Sequence, residues 1–409
     1  MKTKIKWLSN QHPDYGKHIK CNELFPKEIN SITRSFHREI SGYRISPLKN
    51  LSSLAEMLHL GGIWVKDESS RLSLNSFKVL GGSYAIYRFL KKKVGLTNKV
   101  LNYKQLISPE FREKTGYITF ASATDGNHGR GVAWAADKLG HKSVIYVHKK
   151  TSQPRIDAIR SYGAEVKIIN GTYDDAVDQI NMDAKKYNWE IISDTSWLGY
   201  QEIPTWIMQG YTTMISEIQE QFAAQGLIRP THIFVQAGVG ALAASVIGYY
   251  QSLLEDNAPI SIVVEPDKAA CLFDSMKKND GKPHNFPGKL DTIMAGLACG
   301  DPSPIAWQIL SEAADCFISV PDYIAAKGMR VYAVPLKEDP FIVSGESGAV
   351  TLSTLMEIME NPELKPLKEK LKLNEESQVL LINTEGNTDP INFRKIVWEG
   401  FDPIPQDKG

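Results

Sequence analysis

From residue 61 onward, two kinds of apolar pattern take turns along the chain. Short unbroken runs rich in Val, Ile, Phe and Tyr predict strands covered on both faces. Longer stretches with apolar side chains three and four apart predict amphipathic helices. Residues 61–67 (Gly-Gly-Ile-Trp-Val-Lys-Asp) form the first such strand, with a helix over 83–93 after it. Strands are expected next at 117–121, 143–147, 165–169 and 190–193, separated by helices at 129–139, 154–162 and 173–187. Pro154 near a first turn and Gly163 past a last turn bracket one of these helices.

A second series follows. It has a long helix at 206–225, strands at 232–236, 260–265, 318–320 and 378–383, and helices at 241–254, 323–332 and within 345–359. Strands joined by single helices imply parallel sheets with right-handed crossovers. The expected fold class is therefore α/β with two parallel-sheet domains. Residues 1–80 and 200–409 would form a large domain, and residues 81–199 a small one inserted as a continuous segment. The cleft between two such domains is the usual place for a ligand. Residues 1–60 read as an irregular arm with a helix near 51–60, 267–297 as a loop-rich insertion, and 365–372 as a solvated helix face.

Composition narrows the function classes. Lys plus Arg and Asp plus Glu both number 47, so the formal charge is zero and nothing points to nucleic acid or an anionic membrane. The longest apolar stretches, such as 239–247, fall short of the roughly 18–20 residues that span a bilayer. The segment after Met1 lacks the apolar core of a secretory signal, and a soluble, cytoplasmic protein is expected. Cys21, Cys271, Cys299 and Cys316 make no C-x-x-C pair, and the histidines show no H-x-x-x-H spacing, so no catalytic metal is expected. Scattered cytosolic cysteines are usually buried thiols. His141 and His148 flank a strand and read as surface residues.

Four segments carry candidate chemistry. In Asn75-Ser76-Phe77-Lys78-Val79-Leu80-Gly81-Gly82 a lysine follows a polar turn and precedes a glycine pair. An amine that is held, partly shielded and able to lose its proton can form a Schiff base, although most lysines are solvated surface groups. Residues 121–129, Ala-Ser-Ala-Thr-Asp-Gly-Asn-His-Gly, put donors and an acid at the end of a strand, where open α/β sheets bind ligands. The plainer reading is a helix start capped by Asp125 or Asn127. Residues 237–245, Ala-Gly-Val-Gly-Ala-Leu-Ala-Ala-Ser, join a strand to a helix whose free N–H groups suit a phosphate. A dinucleotide site competes there, because Glu265 ends the next strand where a ribose-binding acid would sit. The third glycine of G-x-G-x-x-G, however, is replaced by Ala243. Residues 383–390, Asn-Thr-Glu-Gly-Asn-Thr-Asp-Pro, form a last polar loop after a strand.

In this order the four segments resemble the fold-type II pyridoxal-phosphate enzymes, the tryptophan synthase β-subunit superfamily, from Gly61 to Pro390. The resemblance implies pyridoxal 5'-phosphate carried as a Schiff base on Lys78, with Asn127 bonding the cofactor's phenolic oxygen. It implies that Gly238, Val239, Gly240, Ala241 and Leu242 cradle the phosphate and that Thr384 faces the pyridine nitrogen. A neutral hydroxyl at that nitrogen suits elimination over transamination.

Within the superfamily, Asp125 before Gly126-Asn127, Asp194 in Ile-Ser-Asp-Thr-Ser-Trp and the Thr-Glu-Gly-Asn-Thr-Asp-Pro loop resemble the ammonia-lyases that act on 2,3-diaminopropionate. That branch implies conversion of a small amino-acid substrate to pyruvate and two ammonia. It implies Asp125 as the base for the D-isomer and Asp194 for the L-isomer, since their α-protons point to opposite cofactor faces. A threonine or serine dehydratase of the same superfamily is the alternative. The resemblance also implies a homodimer and suggests a disulfide between Cys271 and Cys299, which flank the loop-rich insertion.

Overall fold

The computed structural model describes residues 4–10, 19–97, 99–124, 126–171 and 173–405. Among these residues the strands are, in chain order, β1 (Lys6–Ser9), β2 (Leu48–Asn50), β3 (Gly62–Asp67), β4 (Thr119–Thr124), β5 (Lys142–His148), β6 (Glu165–Ile169), β7 (Glu190–Ile191), β8 (His232–Gln236), β9 (Ile260–Pro266), β10 (Cys316–Val320) and β11 (Gln378–Asn383). They form a seven-stranded sheet in the order β1-β10-β9-β8-β11-β3-β2 and a four-stranded sheet in the order β6-β5-β4-β7. The smaller sheet is parallel throughout. In the larger one the interior pairs are parallel, while β1 and β2 run antiparallel at the two edges. Every residue of β3, β8 and β10 is buried, as continuous apolar runs in a covered parallel sheet require.

The chain folds as two units. One joins Met1–Lys27, Ile45–Ser70 and Met214–Gly409 and holds the seven-stranded sheet. The other joins Glu28–Arg44 and Arg71–Thr213 and holds the four-stranded sheet. This second unit is wider than the expected 81–199. It takes in the helix Ile29–Arg38 because Phe36 stacks on Tyr87 at 4.4 Å, while His37 Nδ1 lies 2.7 Å from the Thr213 hydroxyl and Nε2 lies 3.0 Å from Leu80 O. No helix among the described residues is long and apolar enough to cross a membrane.

Several local expectations change. Before residue 60 the expected helix is present as Ser52–Met57, while the described residues of the supposedly irregular arm also form β1, β2 and the helices Ile19–Leu24 and Ile29–Arg38. The loop-rich insertion contains a helix, Cys271–Lys278, and a further helix spans Pro304–Ala313. The edge strands are only three or four residues long, so their pattern is too short to recognise and their partners alone decide them. The helix expected at 83–93 begins at Lys78. Its glycine pair packs rather than breaks. A Cβ at Gly81 would lie 2.6 Å from the Tyr211 ring, and one at Gly82 would lie 3.5 Å from Gly131 on the helix Asn127–Lys138.

His141 is also not at the surface. It is 8% exposed, meets the edge of Phe120 at 5.5 Å, and its Nδ1 accepts from the Ile118 N–H. Burial, with Arg112 and Lys93 nearby, pushes its pKa down to about 4. Unfolding restores an ordinary histidine near 6.5, so the unfolded chain binds the proton first as pH falls. The stabilising contribution is therefore complete above pH 6.5 and lost between 6.5 and 4. Urea unfolding is expected to show the wild type losing up to about 3 kcal/mol more than His141→Gln across that window. Parallel curves for the two proteins would refute this.

Candidate active site

In the unit that carries the four-stranded sheet, β4 and β7 are parallel neighbours, with Ala121 opposite Ile191. Gly126 and the segment 192–195, which follow their C-terminal ends, are therefore adjacent. Lys78 opens its helix nearby, and its Nζ forms a hydrogen-bonded ion pair with Asp194 Oδ2. The two side chains retain 19% and 9% of their surface, so water screens the pair only weakly. Burial alone would raise the Asp194 carboxyl. The Lys78 ammonium and then His128 outweigh it and hold that carboxyl far below the usual carboxylate range. Asp194 caps no helix. It precedes a tight hairpin in which Trp197 and Tyr200 pair and stack at 4.1 Å.

His128 Nε2 donates to Ile192 O at 2.9 Å, since a carbonyl can only accept. That bond turns Nδ1 to within 4.0 Å of Asp194 Oδ2. Asn127 is the first residue of its helix, after Gly126 at φ 146°. Thr124 Oγ1 accepts from the N–H groups of Gly126 (3.0 Å) and Gly129 (3.1 Å), and a Cβ at Gly129 would collide with the Thr124 side chain. This is why the Gly-Asn-His-Gly turn needs its second glycine. Asp125, the other expected base, lies outside the described residues.

The unit with the seven-stranded sheet carries the other expected residues. After β8, Gly238 packs so closely that an added Cβ would lie 3.2 Å from Cys299 Sγ and Leu297 Cα. Gly240 has φ 99°, a conformation that favours glycine. The helix Ala241–Leu254 starts there with no side chain capping it, so its first N–H groups point from Ala241 and Leu242 without that competitor. β8 and β11 are parallel neighbours, which brings Gln236 beside Thr384. Gln236 Nε2 donates to Ser347 O (2.7 Å) and Ile382 O (3.0 Å) and lies 3.1 Å from Thr384 Oγ1. An amide nitrogen cannot accept, so the Thr384 proton is directed elsewhere, available to a nitrogen acceptor.

These residues fit a phosphorylated aromatic aldehyde. The unit with the four-stranded sheet has a shielded amine that suits the aldehyde; the unit with the seven-stranded sheet has, by itself, an uncapped helix start that suits the phosphate and a hydroxyl that suits a ring nitrogen. Buried Gln236 Oε1, Ser347 Oγ and Asn383 Oδ1 are further polar atoms without a protein partner at the ends of β8 and β11.

Two other expectations are decided here. Both Glu265 oxygens accept backbone N–H groups, from Leu272 (2.8 Å) and Phe273 (2.7 Å). Glu265 thus caps the helix Cys271–Lys278, and burial pushes its pKa up to about 8 despite those bonds, so it is no ribose acid. Cys271 is a buried free thiol donating to Gly238 O at 3.6 Å, so the suggested disulfide to Cys299 is not formed. Sequence reasoning did not single out Gln236, Tyr200 or Tyr211. Only the Leu-Gly turn before Tyr200 left a signal.

A family model described as pyridoxal-phosphate dependent enzyme matches residues 40–385. The diaminopropionate ammonia-lyase of Salmonella typhimurium is 48% identical over 368 residues, 90% of this chain and 91% of that protein. The crystal structure of the Escherichia coli diaminopropionate ammonia-lyase with D-serine superposes with a TM-score of 0.89 at 44% identity, covering 98% of this chain and 99% of that one. The same enzyme with an aminoacrylate–pyridoxal-phosphate azomethine intermediate gives 0.88, also at 44% identity, covering 98% of both chains. The chain therefore belongs to the fold-type II pyridoxal-phosphate-dependent enzymes, as a carbon–nitrogen lyase of the diaminopropionate ammonia-lyase group.

Proposed function

We propose that this enzyme converts both D- and L-2,3-diaminopropionate, with water, to pyruvate and two ammonia. The observation that carries the reading is the carboxylate of Asp194 bonded to the Lys78 amine in a largely buried site. Bound pyridoxal phosphate supplies an electron sink that makes the α-hydrogen of an amino acid acidic. Lys78 is the residue that holds it covalently and gives it up to the substrate amine. Gly238 to Leu242 take the phosphate, Asn127 the phenolic oxygen and Thr384 the ring nitrogen.

Asp194 has two opposed influences. Burial raises its pKa and the Lys78 ammonium lowers it. When the Lys78 nitrogen is a neutral amine, as it is once the substrate has displaced it, the lowering influence weakens and burial moves the carboxyl toward proton affinity. A carboxylate that binds the substrate's ammonium at rest can then accept the α-proton of the L-isomer. Asp125 is assigned the α-proton of the D-isomer. The bond from Cβ to the β-ammonium breaks with its electron pair going to nitrogen, so neutral ammonia leaves, and water replaces the second amino group, which departs as the second ammonia.

The test is pyruvate release from each enantiomer by the wild type, Asp125→Asn and Asp194→Asn. Each variant is expected to lose mainly one enantiomer, by about 10²–10⁴-fold, the usual contribution of a positioned base. Equal losses on both would overturn the two-base assignment. A wild type that deaminates serine or threonine in preference to diaminopropionate would overturn the substrate and favour a dehydratase.

A further inference from the structure

The chain that delivers Asp194 is held by one side chain from further along. The Tyr200 hydroxyl donates to Ile191 O at 2.7 Å and accepts from the Ser193 N–H at 3.0 Å. Between those two points, Ile192 is fixed by its neighbours. Its N–H donates to Ala121 O at 2.8 Å, and its carbonyl accepts from Ser122 Oγ at 2.8 Å and His128 Nε2 at 2.9 Å. Among the described residues, bonds to β4 and to His128 reach only as far as Ile192, so at Ser193, the residue before Asp194, the phenol takes over the backbone N–H. Tyr200 is itself held. Its N–H donates to Trp197 O (2.9 Å), the Trp197 N–H donates to Tyr200 O (3.2 Å), and the two rings stack with planes 11° apart. The turn between them runs through Leu198, 97% exposed, and Gly199 at φ 84°.

We infer that Tyr200 is a positioning residue for Asp194: its hydroxyl clamps Ile191 and Ser193 and so keeps the Asp194 carboxylate at the Lys78 amine. The inference rests on the reading of Asp194 as the base for the L-isomer. A displacement of about 1 Å at a reacting group can cost on the order of 10²-fold in rate, so a clamp of two hydrogen bonds has measurable consequences.

Tyr200→Phe keeps the ring and its stack on Trp197 and deletes the hydroxyl. The expected result is a 10-fold or greater fall in kcat for the L-isomer, with KM unchanged and D-isomer turnover retained. Hydrogen exchange of the cofactor-free variant is expected to speed up in the 191–195 segment and nowhere else in this unit. Losses on both enantiomers in Tyr200→Phe while Asp194→Asn loses only the L-isomer, or unchanged exchange in that segment, would overturn the inference. Should Tyr200→Phe not fold, exchange in the wild type still decides. A Ser193 amide protected like those inside β4 supports the clamp, and one exchanging at the rate of an open loop removes it. Asp194→Asn assayed alongside separates the two ideas. If that variant affects both enantiomers alike while Tyr200→Phe still loosens 191–195, the base assignment fails and the clamp stands.

Discussion

Lys78→Ala is expected to lose the covalent hold on the cofactor altogether. Borohydride treatment of the wild type should add one reduced cofactor to the peptide carrying Lys78, and the variant's mass should stay that of the bare chain. Turnover of both enantiomers should fall together by more than about 10⁴-fold, because proton transfer alone is worth about 10²–10⁴ and the covalent step is lost with it. Lys78→Arg should not rescue, since a guanidinium stays protonated and cannot condense with an aldehyde. A further consequence follows from the ion pair. With the ammonium gone, nothing at that position opposes the effect of burial on Asp194, and its carboxyl should titrate well above where it does in the wild type. A reduced cofactor found on another lysine, or turnover within tenfold of wild type, would refute the assignment.

The second large effect concerns stability. Lys66 on β3 and Glu217 on the helix Glu202–Ala224 are both fully buried, with Nζ 2.7 Å from Oε2. Lys66 also donates to Ser46 O (2.7 Å) and Gln221 Oε1 (2.9 Å), and the Ser46 hydroxyl donates to Glu68. The Ser46 N–H reaches Glu217 at 3.3 Å. Lys66→Met takes away the cation and leaves a carboxylate in the interior, a change that costs about 3–5 kcal/mol in comparable buried pairs. Lys66→Met with Glu217→Leu should recover much of the loss, because replacing a whole pair with apolar groups is often nearly neutral. Urea unfolding of the four proteins of this cycle checks it. A single variant as stable as the wild type, or a double variant worse than either single, would refute the account.

Much of this molecule is legible before it folds. Strands 165–169, 232–236 and 378–383 and helices 173–187 and 241–254 coincide with the observed elements, because a buried strand or an amphipathic helix is a pattern of near neighbours in sequence. Lys78, Asn127 and the 238–242 loop stand out as residue types in characteristic turns, and Asp194 enters only through the family resemblance. Less was visible where a local signal has two meanings. Gly81-Gly82 stands before the expected helix at 83–93 and is a packing surface inside the observed one. Glu265 looks like a ribose ligand and is a helix cap. His141 looks like a strand-end surface residue and is buried on Phe120.

By itself the sequence determined the interior strands and the helices between them, their parallel α/β class and the chemical groups in play, since each depends on residues within about a dozen positions of one another. Only the tertiary structure decided which of those groups meet. Lys78 and Asp194 are 116 positions apart and Gln236 and Thr384 are 148 apart, and each pair is joined by the way separate segments pack. The proton affinity of Asp194 was decided there too, because it is the balance of burial against a neighbouring ammonium, and neither exists until the chain has folded.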